Sequence, residues 1–466
     1  MKNKYKIILT TSCLAITLIA GCKDSFLDQS PSSGISTNIA LNTEADVKSA
    51  VLGMYSGMRA VDLYGRTFPI IGDLLADNSF IVSNNSGRYT AFDRYVVTPA
   101  NGNTTGIWNS AYQAIDRANR IINSTPAVSV QANVDQYKGE AYAARALLYF
   151  DLLRAFSNTN TQTSLGVPIV LSFDYTALPA RNTVAQVYTQ INADLAKAYT
   201  LMTQFSSTAR ISKYTARAIQ ARVALYSGDY TNALTYANDV ITNSAFSLLT
   251  KANYNTYWAN AAPQTAKIET LFEVNSDAIS NLGFDSYSNM FVQPPGGYGD
   301  VLCTTALYNL YSATDVRKTL FKVGSRGTSN PAYFILKFPN VGGDKDDTKV
   351  IRLSEVYLIA AEAAYRTNDI VQALGKLNTL VAQRDASQVY ASIGTQLLDD
   401  IVSERRKELA FEGDRLFDLN RLGRAITRQK APNAVAATDY RRIQPIPQSE
   451  LDVNTNIPKS AQNPGW

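Results

Sequence analysis

Apolar residues return every three or four positions through the stretch from Ile351 to Arg424, the period of a helix with one face against a core. Leu353, Val356, Tyr357, Ala360, Ala361 and Ala364 fall at offsets 0, 3, 4, 7, 8 and 11 and make one apolar stripe, with Arg352, Glu355, Glu362 and Arg366 off it. Thr367, Asn368 and Asp369 interrupt the pattern and offer an N-cap to a second helix, in which Ala373, Leu374, Leu377 and Val381 resume the spacing. The result is a helical hairpin. An earlier segment carries the same signature: Tyr226, Gly228, Asp229, Ala233 and Leu234 read Y-x-G-D-x-x-x-A-L, close to Tyr365, Asn368, Asp369, Ala373 and Leu374. Small residues let two helices approach closely, and the Gly-Asp or Asn-Asp pair ends one helix while starting the next. Two such copies predict tetratricopeptide-like packing, with a generic helical domain as the alternative.

The same period marks several other segments. Thr43 to Arg59 opens with Thr43 and Asp46 at capping-box spacing, and Trp108 to Ile122 carries Trp108, Tyr112, Ile115 and Asn119 along one side. Tyr137 to Phe156 aligns Tyr142, Ala146, Tyr149, Leu153 and Phe156, while Val184 to Met202, Tyr214 to Ser227 and Tyr230 to Thr242 follow as further helices. Two stretches break the period. Tyr64 to Asn103 interleaves aromatics, Asn and Arg without helical spacing, and loops of that length in a compact domain are often functional. From about Phe246 to Lys345, Gly, Asn, Ser, Tyr and Pro accumulate, with only short runs such as ETLFEV that suit strands. LGVPIV (165–170) is kept out of any helix by Pro168, and beyond Arg424 the prolines 445, 447, 458 and 464 keep the tail extended across the body.

The N-terminus changes the picture. Lys2, Lys4 and Lys6 precede an apolar run from Ile7 to Ile19, and Ile19-Ala20-Gly21-Cys22 has the form of a bacterial lipobox, so Cys22 is the expected lipidated first residue. An ordinary secretory signal with an incidental Cys22 is the alternative. Residues 1–21 are then signal peptide, 22–40 a Ser-rich tether, 41–245 an N-terminal helical region with a ligand loop near 64–103, 246–345 an irregular insertion, and 346–466 a C-terminal helical region with its tail. The formal charge of +5 over 466 residues falls to +2 without the three signal lysines, which gives nucleic acid no support as a partner. With Cys13 in the signal and Cys22 acylated, Cys303 stands alone as an expected core thiol.

The chain contains no histidine, which excludes Ser-His-Asp, Cys-His and His-based zinc sites. No phosphate-binding Gly-rich loop or nucleophile elbow is present, and no cofactor is expected. Asp344, Asp346 and Glu355 mimic the spacing of a calcium loop, but Lys349 stands where that loop requires Gly. The acidic cluster Glu404, Glu408, Glu412, Asp414 and Asp418 reads as an ion-paired lock in which Arg405 reaches Glu408 and Glu412.

Several segments together resemble the SusD/RagB family of surface lipoproteins. They are Cys22 with Phe26, Leu27 and Asp28; Trp108 to Asn119; Tyr142 to Phe156; Arg352 to Glu362; Glu404 to Arg421; and the tail with Pro445-Ile446-Pro447, Glu450-Leu451, Asn454 and Gln462-Asn463-Pro464-Gly465. Trp466 stands where Tyr is more usual, and Lys23-Asp24 resembles a short charged surface-export signal. The resemblance implies a mostly α fold of tetratricopeptide-like repeats with a large irregular, loop-rich ligand-binding region. It also implies a lipid-anchored location on the cell-surface side of the outer membrane, a SusC-like TonB-dependent transporter as partner, an oligosaccharide or peptide as cargo, and no enzymatic activity.

A sugar presents apolar C–H faces and a rim of hydroxyls, so its site wants flat rings flanked by Asn, Asp and Arg. Tyr64, Asn78, Phe80, Arg88 and Tyr89 in one irregular stretch, with Phe284, Tyr287 and Tyr298 in the other, supply that chemistry and are the candidate ligand residues. Trp108 and Trp258 also offer rings, but Trp108 sits on a helical stripe and is expected in the core. Two other classes stay open. A surface glycosidase would need two carboxylates about 5 to 10 Å apart in an open cleft, and an assembly scaffold would bind protein through its repeats alone.

Overall fold

The computed structural model describes residues 40–174 and 176–466. The export signal, the lipidation of Cys22 and all but the last residue of the tether lie outside the described residues. Helices dominate: α1 (Glu44–Met58), α2 (Thr67–Leu74), α3 (Gly102–Asn123), α4 (Gln131–Phe156), α5 (Val184–Leu201), α6 (Lys213–Ser227), α7 (Tyr230–Asn243), α8 (Leu353–Arg366), α9 (Ile370–Ala382), α10 (Gly394–Glu408) and α11 (Arg415–Arg421). α1 packs on α3, and from α3 to α9 each helix packs on the next. The step from α7 to α8 is as direct as the others although 109 residues of chain separate Asn243 from Leu353. The repeat array therefore closes over the irregular segment, which leaves it and returns.

The turns explain the two copies of the repeat signature. Gly228 (φ 81°) and Asn368 (φ 64°) both adopt the left-handed conformation, which Gly takes freely and Asn tolerates. Asp229 and Asp369 then cap the next helix, accepting from the Asn232 amide at 3.2 Å and the Gln372 amide at 3.0 Å. Ala233 and Ala373 are fully buried where the paired helices touch. At the start of α1, Thr43 and Asp46 form the expected capping box.

Some boundaries depart from the sequence pattern. α3 begins at Gly102, six residues before Trp108, because the Asn101 side chain accepts the Asn103 and Thr104 amides at 3.1 Å and starts a helix where Gly and Thr weaken the propensity. α4 likewise begins at Gln131. Inside the stretch read as non-periodic, all eight residues of α2 are buried; a helix with no wet face has no amphipathic period to detect.

The irregular segment holds more sheet than its composition suggests. β1 (Ser79–Ile81), β3 (Val301–Cys303), β5 (Ser329–Ile335) and β4 (Phe321–Arg326) form one sheet in the order β1-β3-β5-β4, and β2 (Thr270–Val274) pairs with β6 (Thr348–Arg352). The β4–β5 hairpin escapes a pattern reading because its outer strand has no buried residue and Pro331 interrupts the inner one. Cys303 lies in the core, where burial pushes its thiol well up.

Charged side chains are buried in quantity, and most of those around the C-terminal helices are ion-paired, while Asp385 and Arg442 are bonded by neutral groups. Arg352, fully buried, donates to Glu269, Glu408 and Glu412 at 2.6 to 2.9 Å. Arg384 and Arg317 also reach Glu408. Arg405 departs from expectation: it bonds Asp418 at 2.7 Å and Glu355 at 3.1 Å rather than Glu408 and Glu412, because α8 and α11 bring those carboxylates to its other side. Glu355 and Glu362 lie off the apolar stripe of α8 yet are buried, each held by arginines from other elements.

Removing one partner of such a set leaves the others uncompensated, at a cost of about 3–5 kcal/mol. Arg352→Met is expected to destabilise the protein on that scale at pH 7, measured by urea unfolding. Burial alone would raise the Asp418 carboxyl, but the guanidiniums of Arg405 and Arg421 outweigh it and hold it down at about 2. An unfolded Asp titrates near 3.9, so this contribution is complete above about pH 4 and is lost as pH falls toward 2. The stability gap between wild type and Asp418→Asn should narrow over that window.

Candidate ligand-binding site

Pairing of β1 with β3 brings the two irregular stretches together. Ser79 lies opposite Cys303 and Ile81 opposite Val301, and beyond the strands the Val82 amide donates to the Asp300 carbonyl at 2.9 Å. The Asp300 carboxylate then takes the Ser86 amide at 3.1 Å and the Ser86 hydroxyl. Left-handed residues Gly87 (φ 88°) and Tyr89 (φ 58°) bracket Arg88. Its guanidinium carbon stands 4.1 Å from the centre of the Tyr298 ring. Phe284 meets Tyr298 edge-on, with centroids 5.7 Å apart and planes at 69°. Asp285, beside Phe284, forms an ion pair with Arg66 and lies 3.7 Å from Arg88. Phe284 is 57 % exposed, so its ring is open to solvent, while Arg88 and Tyr298 are half-buried beside it.

Of the eight candidate ligand residues, the structure thus brings Arg88, Phe284 and Tyr298 together at the surface. The other five are inside, a correction with one physical cause: each has its polar atoms or ring faces satisfied internally. The Tyr64 hydroxyl bonds the Asp151 carboxylate, and its ring packs edge-on against Phe68. Asn78 donates to Asp73 at 2.8 Å and accepts from Arg406 at 2.9 Å. Phe80 packs with Val82, Leu302 and Ala332. The Tyr89 hydroxyl accepts from Arg66 at 2.7 Å and lies 2.9 Å from the Thr67 hydroxyl; burial pushes its phenol up despite Arg66. Tyr287 donates to the Phe411 carbonyl between the rings of Phe291 and Phe338. Tyr89 still supports the patch from below, since the arginine it orients is the one that holds Asp285.

Sequence reasoning passed over Arg66, Asp285 and Arg326. Arg66 and Asp285 are 219 residues apart, and no local pattern signals such a pair. Arg326, at the end of β4, donates to the Tyr298 carbonyl at 2.8 Å and the Asn84 carbonyl at 3.3 Å, tying the hairpin to both loops. Among the described residues, no group of three or more His, Cys, Asp or Glu side chains is arranged to hold a metal.

A cleft of about 640 Å³ opens elsewhere, between α3 and the segment 168–179, lined by Trp108, Tyr112, Pro168 and Glu450 among others. Trp108 is only 2 % exposed and stands edge-on to Phe156 at 5.1 Å, so the open ring of that cleft is Phe173, 52 % exposed with the Arg120 guanidinium carbon 3.9 Å from its centre. The Phe284–Tyr298 patch is likewise aromatic and rimmed by charge, and it joins the two irregular stretches.

Comparison with known proteins places these features. A family model described as "Starch-binding associating with outer membrane" matches residues 25–225, and a second, described as "SusD family", matches residues 324–466. Residues 226–323, which carry Phe284, Asp285 and Tyr298, fall between the two matches. The chain is 29 % identical to SusD-like protein P2 of Formosa agariphila over the full length of both. A SusD superfamily protein from Bacteroides thetaiotaomicron, known from a crystal structure, superposes with a TM-score of 0.82 at 31 % identity, covering 91 % of this chain and 100 % of that one. A surface glycan-binding protein A from Bacteroides thetaiotaomicron, crystallised with laminarihexaose, shares the fold at 18 % identity, with a TM-score of 0.73 and coverage of 91 % and 100 %.

The division between core and patch residues is measurable. Tyr287→Ala should cost about 3–5 kcal/mol in urea unfolding, as expected for emptying a packed aromatic site. Phe284→Ala should leave stability within about 0.5 kcal/mol, as a surface change does.

Proposed function

Because the chain belongs to the SusD family, we propose that it is a cell-surface lipoprotein that captures an oligosaccharide and passes it to a SusC-like TonB-dependent transporter in the outer membrane. The observation that carries this reading is the meeting of Phe284, Tyr298 and Arg88 at the surface, from two stretches almost 200 residues apart in the chain. A pyranose C–H face stacks on the exposed Phe284 ring, and hydroxyls on its rim accept from Arg88 and donate to Asp285. The family description as starch-binding and the laminarihexaose bound by the glycan-binding neighbour support a saccharide as the cargo. Capture without bond cleavage fits the patch. A glycosidase needs two carboxylates, whereas Asp285 is the exposed carboxylate here and is held by Arg66, and Asp300 is buried against Ser86.

Attachment through acylated Cys22 is the anchoring mode this reading requires. Among the described residues, no helix is long and apolar enough to cross a membrane. On this reading the helical array, which carries none of Arg88, Phe284, Asp285 and Tyr298, faces the transporter.

Isothermal calorimetry of the purified protein against panels of glycans and peptides tests the reading. Phe284→Ala and Tyr298→Ala should each weaken glycan binding by about tenfold or more, the scale of a lost stacking contact. Binding of peptides alone would favour a peptide-carrying RagB-type role. Release of reducing sugar would replace capture with catalysis.

A further inference from the structure

Two arginines of the aromatic patch, Arg88 and Arg326, lack a carboxylate of their own. Arg66 takes the Oδ1 oxygen of Asp285, and the same oxygen is the nearest anionic atom to Arg88, 3.7 Å away. Arg326 pairs with no carboxylate among the described residues; its Nη2 donates to the carbonyls of Tyr298 and Asn84, and its Nε is buried without a partner. Asp300, at the end of the 284–300 loop, is 1 % exposed and engaged by the neutral amide and hydroxyl of Ser86. Asp62 lies on the far side of Arg66, accepting from the Thr67 hydroxyl at 2.9 Å, so Arg88 and Arg326 are the two guanidiniums here with no carboxylate to themselves.

That contrasts with the interior, where Arg352 faces three carboxylates and Arg384 and Arg405 two each. These two arginines lie beside the open ring: the Arg88 side chain is 35 % exposed, and both Arg88 and Arg326 bear on Tyr298, one over its ring and the other on its carbonyl. A planar guanidinium presents paired N–H donors that match a carboxylate or sulfate better than a neutral hydroxyl.

Resting on the saccharide reading above, we propose that the cargo is an anionic glycan, with a uronate carboxylate or sulfate ester received by Arg88 and Arg326 beside Tyr298 while a ring of the same chain stacks on Phe284. Charge-assisted hydrogen bonds then set selectivity, and stacking supplies a contribution common to charged and neutral chains.

Matched ligands test this. Calorimetry would compare oligogalacturonic acid with its methyl ester, and dextran sulfate with dextran, which separates the carboxylate and sulfate sources. At least one acidic member should bind about tenfold or more tightly than its neutral counterpart. That preference should shrink when NaCl is raised from about 50 mM to about 500 mM, as screening predicts. Arg88→Gln and Arg326→Gln should each lower the acid-over-neutral ratio, while Arg424→Gln, on an exposed pair with Asp399, should leave it unchanged. Equal binding of both members of each pair overturns the inference and leaves saccharide capture standing. A preference insensitive to both patch arginines overturns it as well. Binding of no saccharide in the panel removes the saccharide reading itself.

Discussion

The arginines buried deepest around the C-terminal helices stay inside because carboxylates from other parts of the chain surround them. Taking a guanidinium out of water costs several kcal/mol, and that cost is offset only by close, well-directed partners. Glu408 accepts from Arg317, Arg352 and Arg384 together, and although burial would raise its carboxyl, those three cations hold it well below the ordinary carboxylate range. The partners come from the irregular segment (Glu269, Arg317), from β6 (Arg352), from just beyond α9 (Arg384) and from α10 (Glu408). Such a set tolerates one register. A slip of any one element would strand a charge, so the network fixes where the loop-rich segment leaves the helical array and where it rejoins it.

A second set works on the N-terminal side. Arg154 of α4 bonds Asp151 and Asp414, Tyr64 donates to the same Asp151, and Arg222 of α6 bonds Glu355 of α8. The helical repeats and the C-terminal helices are thereby joined through their interior, and the stretch following α1 is pinned to both. With its ends held in this way, the chain from Arg66 to Tyr89 has little choice of path. β1 pairs with β3, and the loop beyond β1 lies over residues 284–300.

The surface patch inherits its geometry from that frame. Phe284, Asp285, Tyr298 and Arg88 lie on short loops, yet each loop is tied to a sheet edge or to a buried arginine. Rings and cations held this way lose little freedom when a ligand arrives, which favours binding. The same frame explains why neighbouring aromatics are unavailable. Tyr287 and Tyr89, each within three residues of a patch residue, turn inward and use their hydroxyls to hold the loops up.

Local pattern alone makes the helical repeats legible. Gly228-Asp229 and Asn368-Asp369 are turn and cap chemistry written within four residues, the apolar stripe of α8 needs only its own sequence, and Thr43 with Asp46 announces the start of α1. The chemistry of the ligand surface was legible as a composition: rings with Asn, Asp and Arg in two irregular stretches. Which of those residues face solvent was not, because an exposed tyrosine and a buried one look alike until a partner such as Asp151 or the Phe411 carbonyl is placed beside it. Helix α2 and the β4–β5 hairpin hid for related reasons, one lacking a polar face and the other an unbroken apolar one. Short-range periodicity and capping are properties of a dozen consecutive residues, and sequence by itself determined them. The pairing of Arg66 with Asp285, of Arg352 with Glu408 and of β1 with β3 joins residues 56 to more than 200 positions apart, and only the folded chain, bringing charges and strands to within bonding distance, decided it.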